Sequence, residues 1–277
     1  MSSSAESAAQ SANQSAKTVA TSKPVKIGAR IGLVAYGITH LLIAWLTLQL
    51  AFGGGGGQAN QSGAFQELAQ QPFGRALLWV LALGFTATAL WRLTQAIWGY
   101  GYETDRAKNI RKRATSGAKV VVFAALAVLA ATTAAGGGSG GGGQQRATAG
   151  VLGLPGGQFL VGAAGIAILA VGVVKIVAGW QKKFRDDMNL PADRKTRDLT
   201  VRLGQVGFIA KGASIGLIGV LVVIAAIRFR PDESSGLDGA LKALAAQPYG
   251  VLLLIVVALG LAAYGVFCFF DARYHRV

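Results

Sequence analysis

Six stretches of this chain are apolar for the roughly 20 residues that a helix needs to cross a hydrocarbon layer about 30 Å thick. They run from Ile31 to Ala51, Ala76 to Trp98, Ala118 to Ala135, Gln158 to Gly179, Leu203 to Ile227 and Tyr249 to Phe270. A spanning β-strand needs only about 10 residues of strict alternation, and these runs are twice that length without it. The sequence therefore predicts an all-α fold, an integral membrane bundle of six helices. Gly, Ser or Thr interrupts the runs, as where helices pack closely in lipid and small residues let backbones approach. Composition agrees, with 52% hydrophobic and only 14% charged residues and a mean hydropathy of +0.47, where soluble domains carry about 25% charge.

The 27 Lys and Arg against 12 Asp and Glu leave a net charge of +15, which on such a chain is first a signal of orientation. Nineteen of the 27 lie in the N-terminal flank, the loops after the second and fourth spans, and the C-terminus. Arg75, Arg146, Arg228, Arg230 and Lys242 occupy the other three connections. By the positive-inside rule both termini face the cytoplasm. The expected partners are the lipid bilayer, anionic lipids at the cytoplasmic face at about 1 kcal/mol per basic residue, and other membrane proteins. Nucleic acid is not expected, since no aromatic-basic platform accompanies the basic loops. Residues 1–27, Ser-, Ala- and Gln-rich over the first 22, read as a disordered cytoplasmic tail with too little apolar surface to order.

The chain also repeats itself. Arg30-Ile-Gly32-Leu-Val-Ala35-Tyr36 before the first span matches Arg202-Leu-Gly204-Gln-Val-Gly207-Phe208 before the fifth. Gln70-Gln71-Pro72-Phe73-Gly74 before the second matches Ala246-Gln247-Pro248-Tyr249-Gly250 before the sixth. A weaker middle copy offers Arg113 and Gly117, then Pro155-Gly156-Gly157. This gives three tandem two-helix hairpins of one orientation, at 28–100, 113–181 and 200–275. Each proline is expected in the first turn of the returning helix, where its missing N–H costs nothing. Apolar spacing predicts short interfacial helices over Ala64 to Gln71 and Leu237 to Gln247, replaced in the middle copy by a flexible loop from Gly136 to Gly143. Neither this glycine run nor Gly53 to Gly57 precedes the Gly-Lys-Ser/Thr of a phosphate loop. These repeats, opening on Arg-x-Gly and returning through Gln-Pro-Phe/Tyr-Gly or Pro-Gly-Gly, resemble the bacterial, mainly actinobacterial, domain of unknown function 1206 over about residues 28 to 275. The resemblance implies a six-helix membrane protein and carries neither an activity nor functional residues.

Away from the ends of the predicted spans stand three cations and a histidine: Arg92, Lys175, Lys211 and His40. An intramembrane charge costs about 2.5 to 3.5 kcal/mol on insertion scales, so each calls for a reason. Arg92 lies six residues before Trp98 and Lys175 five before Trp180, about 9 and 8 Å along their helices. Helical spacing sets Gly84, Thr88, Arg92 and Gln95 on one stripe, Gly204, Gly207, Lys211 and Ser214 on another, and Tyr36, His40, Ala44 and Thr47 on a third. His40, Arg92, Lys175 and Lys211 are thus the candidate ligand-binding set. The competing reading satisfies them structurally, by snorkelling for Arg92 and Lys175 and by a tyrosine such as Tyr36 or Tyr264 for Lys211. No catalytic residues, metal site or cofactor is expected: Cys268 stands alone, and His40 and His275 are too far apart for a two-histidine haem. The leading function is then a non-catalytic accessory or scaffold component, not an enzyme, with the small-residue pair Gly212-x-x-x-Gly216 as a face for other helices. The alternative is a small transporter or channel with a basic cavity for anions or anionic lipid head groups.

Overall fold

The computed structural model describes residues 23–54, 57–99, 106–137, 143–230 and 236–275. Nine α-helices are found among them: α1 Lys23–Ala51, α2 Gln61–Gln70, α3 Gly74–Trp98, α4 Arg106–Ala134, α5 Gly143–Leu152, α6 Gly157–Trp180, α7 Arg194–Arg228, α8 Gly236–Ala245 and α9 Gly250–Tyr274. The only β-pairing among the described residues is a single bridge between Met188 and His275. Six helices, α1, α3, α4, α6, α7 and α9, are long and apolar enough to cross a membrane. Of the expected tail, residues 1–22 lie outside the described residues, and α1 already begins at Lys23. The middle repeat differs from expectation. Its connection is not all loop, because α5 occupies the place of α2 and α8; residues 138–142 of the expected loop lie outside the described residues.

The turn from short to long helix is built alike in all three repeats. The Gly74 N–H donates to Gln71 O at 2.9 Å, Gly157 to Leu154 O at 2.9 Å, and Gly250 to Gln247 O at 2.8 Å. In each case the long helix starts at the glycine. The prolines, Pro72, Pro155 and Pro248, therefore precede the N-cap and do not sit in the first helical turn as expected. The glycine is needed for close approach. A Cβ at Gly74, Gly157 or Gly250 would collide with the carbonyl of Leu68, Val151 or Ala245 at the end of the preceding short helix. Pro-x-Gly thus encodes a tight corner between two helices.

The long helices pack more extensively between repeats than within them. The broadest seams are α6 on α7, α3 on α4, and α9 on α1; α1 on α3 and α7 on α9 are smaller. The order in space is α4, α3, α1, α9, α7, α6. This is an arc and not a closed ring, because α4 and α6, the two spans of the middle repeat, share almost no backbone contact. The α6–α7 seam is made of glycine. Gly165 and Gly172, buried on α6, face Gly219 and the Gly212 and Gly216 pair of α7, and the buried Gly179 lies against Gln205, Phe208 and Ile209. A Cβ on Gly172 would stand 2.6 Å from the Gly216 nitrogen. The Gly212-x-x-x-Gly216 pair is consequently occupied by the chain's own α6.

Both ends of the arc's interior are covered. Opposite the termini, α2 packs Phe65 and Leu68 against α3 and α4, while α8 places Leu241 against Ala64 and Leu254. Asp238 of α8 accepts a hydrogen bond from the Ala59 N–H at 2.9 Å, tying α8 to the residues just before α2. On the side of the termini, the segment after α6 turns back under the bundle through a 3-10 helix, Lys183–Asp187. Phe184 stacks on Phe208 with centroids 5.3 Å apart and meets Phe267 edge-on at 5.1 Å. The Asn189 N–H donates to Tyr274 O at 2.7 Å, and Lys112 of α4 pairs with Asp187 at 3.5 Å. Arg113 ties α4 to the end of α3, donating to Ala96 O at 2.9 Å and Ile97 O at 2.6 Å, where terminal carbonyls lack helical partners. Asp193 caps α7, accepting from the Thr196 N–H at 2.8 Å and its hydroxyl at 2.7 Å. These bonds, that of the Thr196 hydroxyl first, hold the Asp193 carboxyl below its ordinary value.

Candidate functional site

The three polar stripes read from the sequence turn toward the inside of the arc. On α1, Tyr36 and His40 are one helical turn apart, and His40 is only 3% exposed. The His40 Nδ1 lies 2.8 Å from Tyr36 O. A carbonyl can only accept, so this nitrogen carries the proton and donates. The His40 ring packs edge-on against Tyr36 at 4.4 Å and, tilted, against Tyr264 of α9 at 4.8 Å. Among the four candidates, His40 thus serves as a packed wall of the site.

Lys211 of α7 crosses to α1, where its ammonium donates to the Tyr36 hydroxyl. It also lies 4.3 Å from the Tyr36 ring centre and 4.1 Å from that of Tyr264. Each such cation–ring contact contributes about 0.5 to 2 kcal/mol according to desolvation. Both tyrosines offered by the sequence as partners for Lys211 are used. Lys175 of α6 sits over Phe208 of α7 at 5.2 Å and interacts electrostatically with Lys211 and Arg92.

Arg92 is the most deeply held cation of the set, 4% exposed. Its Nη1 donates to Gln95 Oε1 at 2.8 Å, and its guanidinium lies 4.2 Å from the ring of Trp91. Its Nε is buried without any hydrogen-bond partner among the described residues. Arginine stays protonated in proteins, so burial cannot relieve it by neutralisation. A buried N–H left unmade costs about 1 to 3 kcal/mol, more when charged.

Two members were missed in the sequence. Lys119, counted among the flanking loop cations, lies well inside α4, half-buried, and interacts with both Arg92 and Lys175. Asp271, placed just beyond the sixth span, lies inside α9 and interacts with Arg92 and Lys119. Its Oδ1 accepts from His275 Nδ1 at 2.8 Å, and the His275 ring meets Trp91 edge-on at 5.2 Å. A repeat-based signal was present. Tyr36, Lys119 and Phe208 each stand six residues after Arg30, Arg113 and Arg202, and all three line the cluster. The site therefore gathers four basic side chains, Arg92, Lys119, Lys175 and Lys211, around Asp271, with Asp187 acting on Lys119 from the floor and aromatic walls about them. Basic groups outnumber carboxylates there, and Arg92 is the one that burial cannot neutralise.

Comparison with known proteins gives this arrangement a context but no chemistry. The sequence model of a family described as Domain of Unknown Function (DUF1206) matches three segments, residues 31–99, 114–182 and 206–275. Arg92, Lys175 and Cys268 stand seven residues before the ends of these segments, so the repeat itself brings them to one level. An uncharacterized protein, YxxB, of Bacillus subtilis (strain 168) is 29% identical over 254 residues, covering 91% of this chain and 92% of its own length. No solved structure matches.

Proposed function

Since the chain belongs to the DUF1206 family through three copies of its domain, we propose that this multi-pass membrane protein binds an anion inside its helical arc, at Arg92, Lys119, Lys175 and Lys211. We place it in the bacterial inner membrane with both termini and the basic loops in the cytoplasm, on the strength of the positive-inside rule. The observation that carries the reading is the Arg92 guanidinium: 4% exposed, with an unpartnered Nε, and close to two lysines that repel it. Four basic groups face two carboxylates, Asp271 and an Asp187 already paired with Lys112, and the excess around the permanently charged Arg92 is what a bound anion would offset, through charge-assisted hydrogen bonds. A phosphate or sulfate group matches the planar fork of arginine and the point charges of lysine. No catalytic step is assigned. A scaffold role draws less support than the sequence suggested, because its best helix-docking motif is filled by α6.

The test is ligand-dependent stability. Protein purified in neutral detergent and stripped of lipid is titrated with inorganic phosphate, sulfate, glycerol phosphate and phosphatidylglycerol, and its thermal midpoint is followed. A rise with at least one of these anions, absent in Arg92→Met and in Lys175→Gln, supports the reading. Equal midpoints with and without every anion refute it.

A further inference from the structure

Among the described residues, short helices and a loop segment cover both faces of the arc's interior, while its flank is less closely packed. On the side opposite the termini, α2 and α8 fill the mouth with Phe65, Leu68 and Leu241. On the terminal side, the segment after α6 lies beneath the bundle, locked by Phe184, by the Asn189 to Tyr274 bond and by the Lys112–Asp187 pair. That pair fastens the floor to α4, beside that flank. Among the described residues the side between α4 and α6 is where these two long helices make almost no contact with each other. The two half-buried lysines of the cluster stand one on each of these helices, Lys119 on α4 and Lys175 on α6, near enough to feel each other's charge. The buried Arg92 lies behind them, and α4 and α6 carry exposed apolar side chains such as Val122 and Val174 that suit acyl chains.

We propose that the anion is the phosphate of a membrane glycerophospholipid, which reaches Lys119, Lys175 and Arg92 sideways through the gap between α4 and α6. This rests on reading the cluster as an anion site and names the source of the anion. The lipid comes from the leaflet on the side of the termini, because Arg92 and Lys175 lie about 9 and 8 Å along their helices from Trp98 and Trp180 at that end. Its phosphate is drawn inward from the headgroup plane while its chains stay in the bilayer. Charge complementarity favours anionic over zwitterionic headgroups, since an added ammonium would meet the same four cations.

Two measurements decide it on the full chain. In the first, delipidated protein is mixed with micelles containing phosphatidylglycerol, with micelles containing phosphatidylcholine, or with inorganic phosphate alone. Phosphatidylglycerol is expected to raise the thermal midpoint by roughly 5 °C, phosphatidylcholine by much less, and phosphate hardly at all. Lys119→Gln and Lys175→Gln, at half-buried positions, are expected to fold and to lose at least tenfold in retention of phosphatidylglycerol by native mass spectrometry. Stabilisation by inorganic phosphate and not by the lipid overturns the lipid source while leaving the anion site standing. Stabilisation by none of the three overturns both. In the second, phosphatidylglycerol carrying a photoreactive group next to its glycerol is activated in vesicles. Labelling of α4 and α6 supports the sideways route, and labelling confined to other helices refutes it.

Discussion

Replacing Arg92 by Met should make the empty protein more stable. Bringing a charged side chain into a span costs about 2.5 to 3.5 kcal/mol. Arg92 also feels two lysines and one carboxylate. Asp271 offsets one repulsion, and the other, for unit charges about 8 Å apart at an effective dielectric of 20, is worth about 2 kcal/mol. Against this stand the hydrogen bond to Gln95, about 1.5 to 3 kcal/mol for a charged donor, and the contact with Trp91, about 0.5 to 2 kcal/mol. Midpoints of these ranges leave the Met variant ahead by about 1.5 kcal/mol, since Met keeps most of the aliphatic volume. The assay is equilibrium unfolding in mixed micelles with increasing SDS, in protein freed of lipid. The same variant should lose its response to phosphatidylglycerol. A variant less stable than the native chain by more than about 1 kcal/mol would refute the reasoning, because Arg92 would then be a satisfied structural group.

Three further outcomes follow from single contacts. Tyr36→Phe keeps the ring over Lys211 but removes its hydrogen-bond acceptor; a loss of about 2 kcal/mol is expected in the same SDS titration, and an unchanged midpoint would show another acceptor. Gly172→Leu forces side-chain atoms into the Gly212 and Gly216 backbone and should cost about 1 to 3 kcal/mol, read as faster amide exchange in α6 than in α1; uniform exchange would contradict the seam. The Asp193 cap has a depressed carboxyl value, so its stabilisation of α7 is present above the ordinary carboxylate range and fades as pH falls through the lower folded value. The Thr196 amide should therefore exchange faster relative to its intrinsic rate in acid, and at every pH in Asp193→Ala.

Sequence periodicity was enough for the spans and corners, because both are local. An apolar run must cross lipid wherever its neighbours lie, and Pro-x-Gly sets a turn through bonds three residues apart. The edges of the site were less legible. Lys119 and Asp271 sit within a turn of the predicted boundaries, where hydropathy cannot separate a loop cation from a buried one. The α5 helix was hidden by the glycine run before it. The order of the arc depends on which small-residue faces meet, Gly172 with Gly216 or Gly32 with Gly84, and every span has such a face. Lys211 was the favourable case: only a tyrosine or a carbonyl could satisfy it at that depth, and Tyr36 lay on the matching stripe.

The seam between α1 and α9 has a consequence for synthesis. Each early span leaves the ribosome before the span it packs on, but α1 waits longest, since α9 begins only at Gly250. At about 5 to 20 residues per second, the roughly 200 residues between them take on the order of 10 to 40 s to make. Throughout that interval the His40 face of α1 is in the bilayer without its final neighbour. The latest made of the six described spans is thus the one that completes the site, and a chain truncated before Gly250 would insert five spans yet leave Tyr36, His40 and Lys211 without the Tyr264 wall.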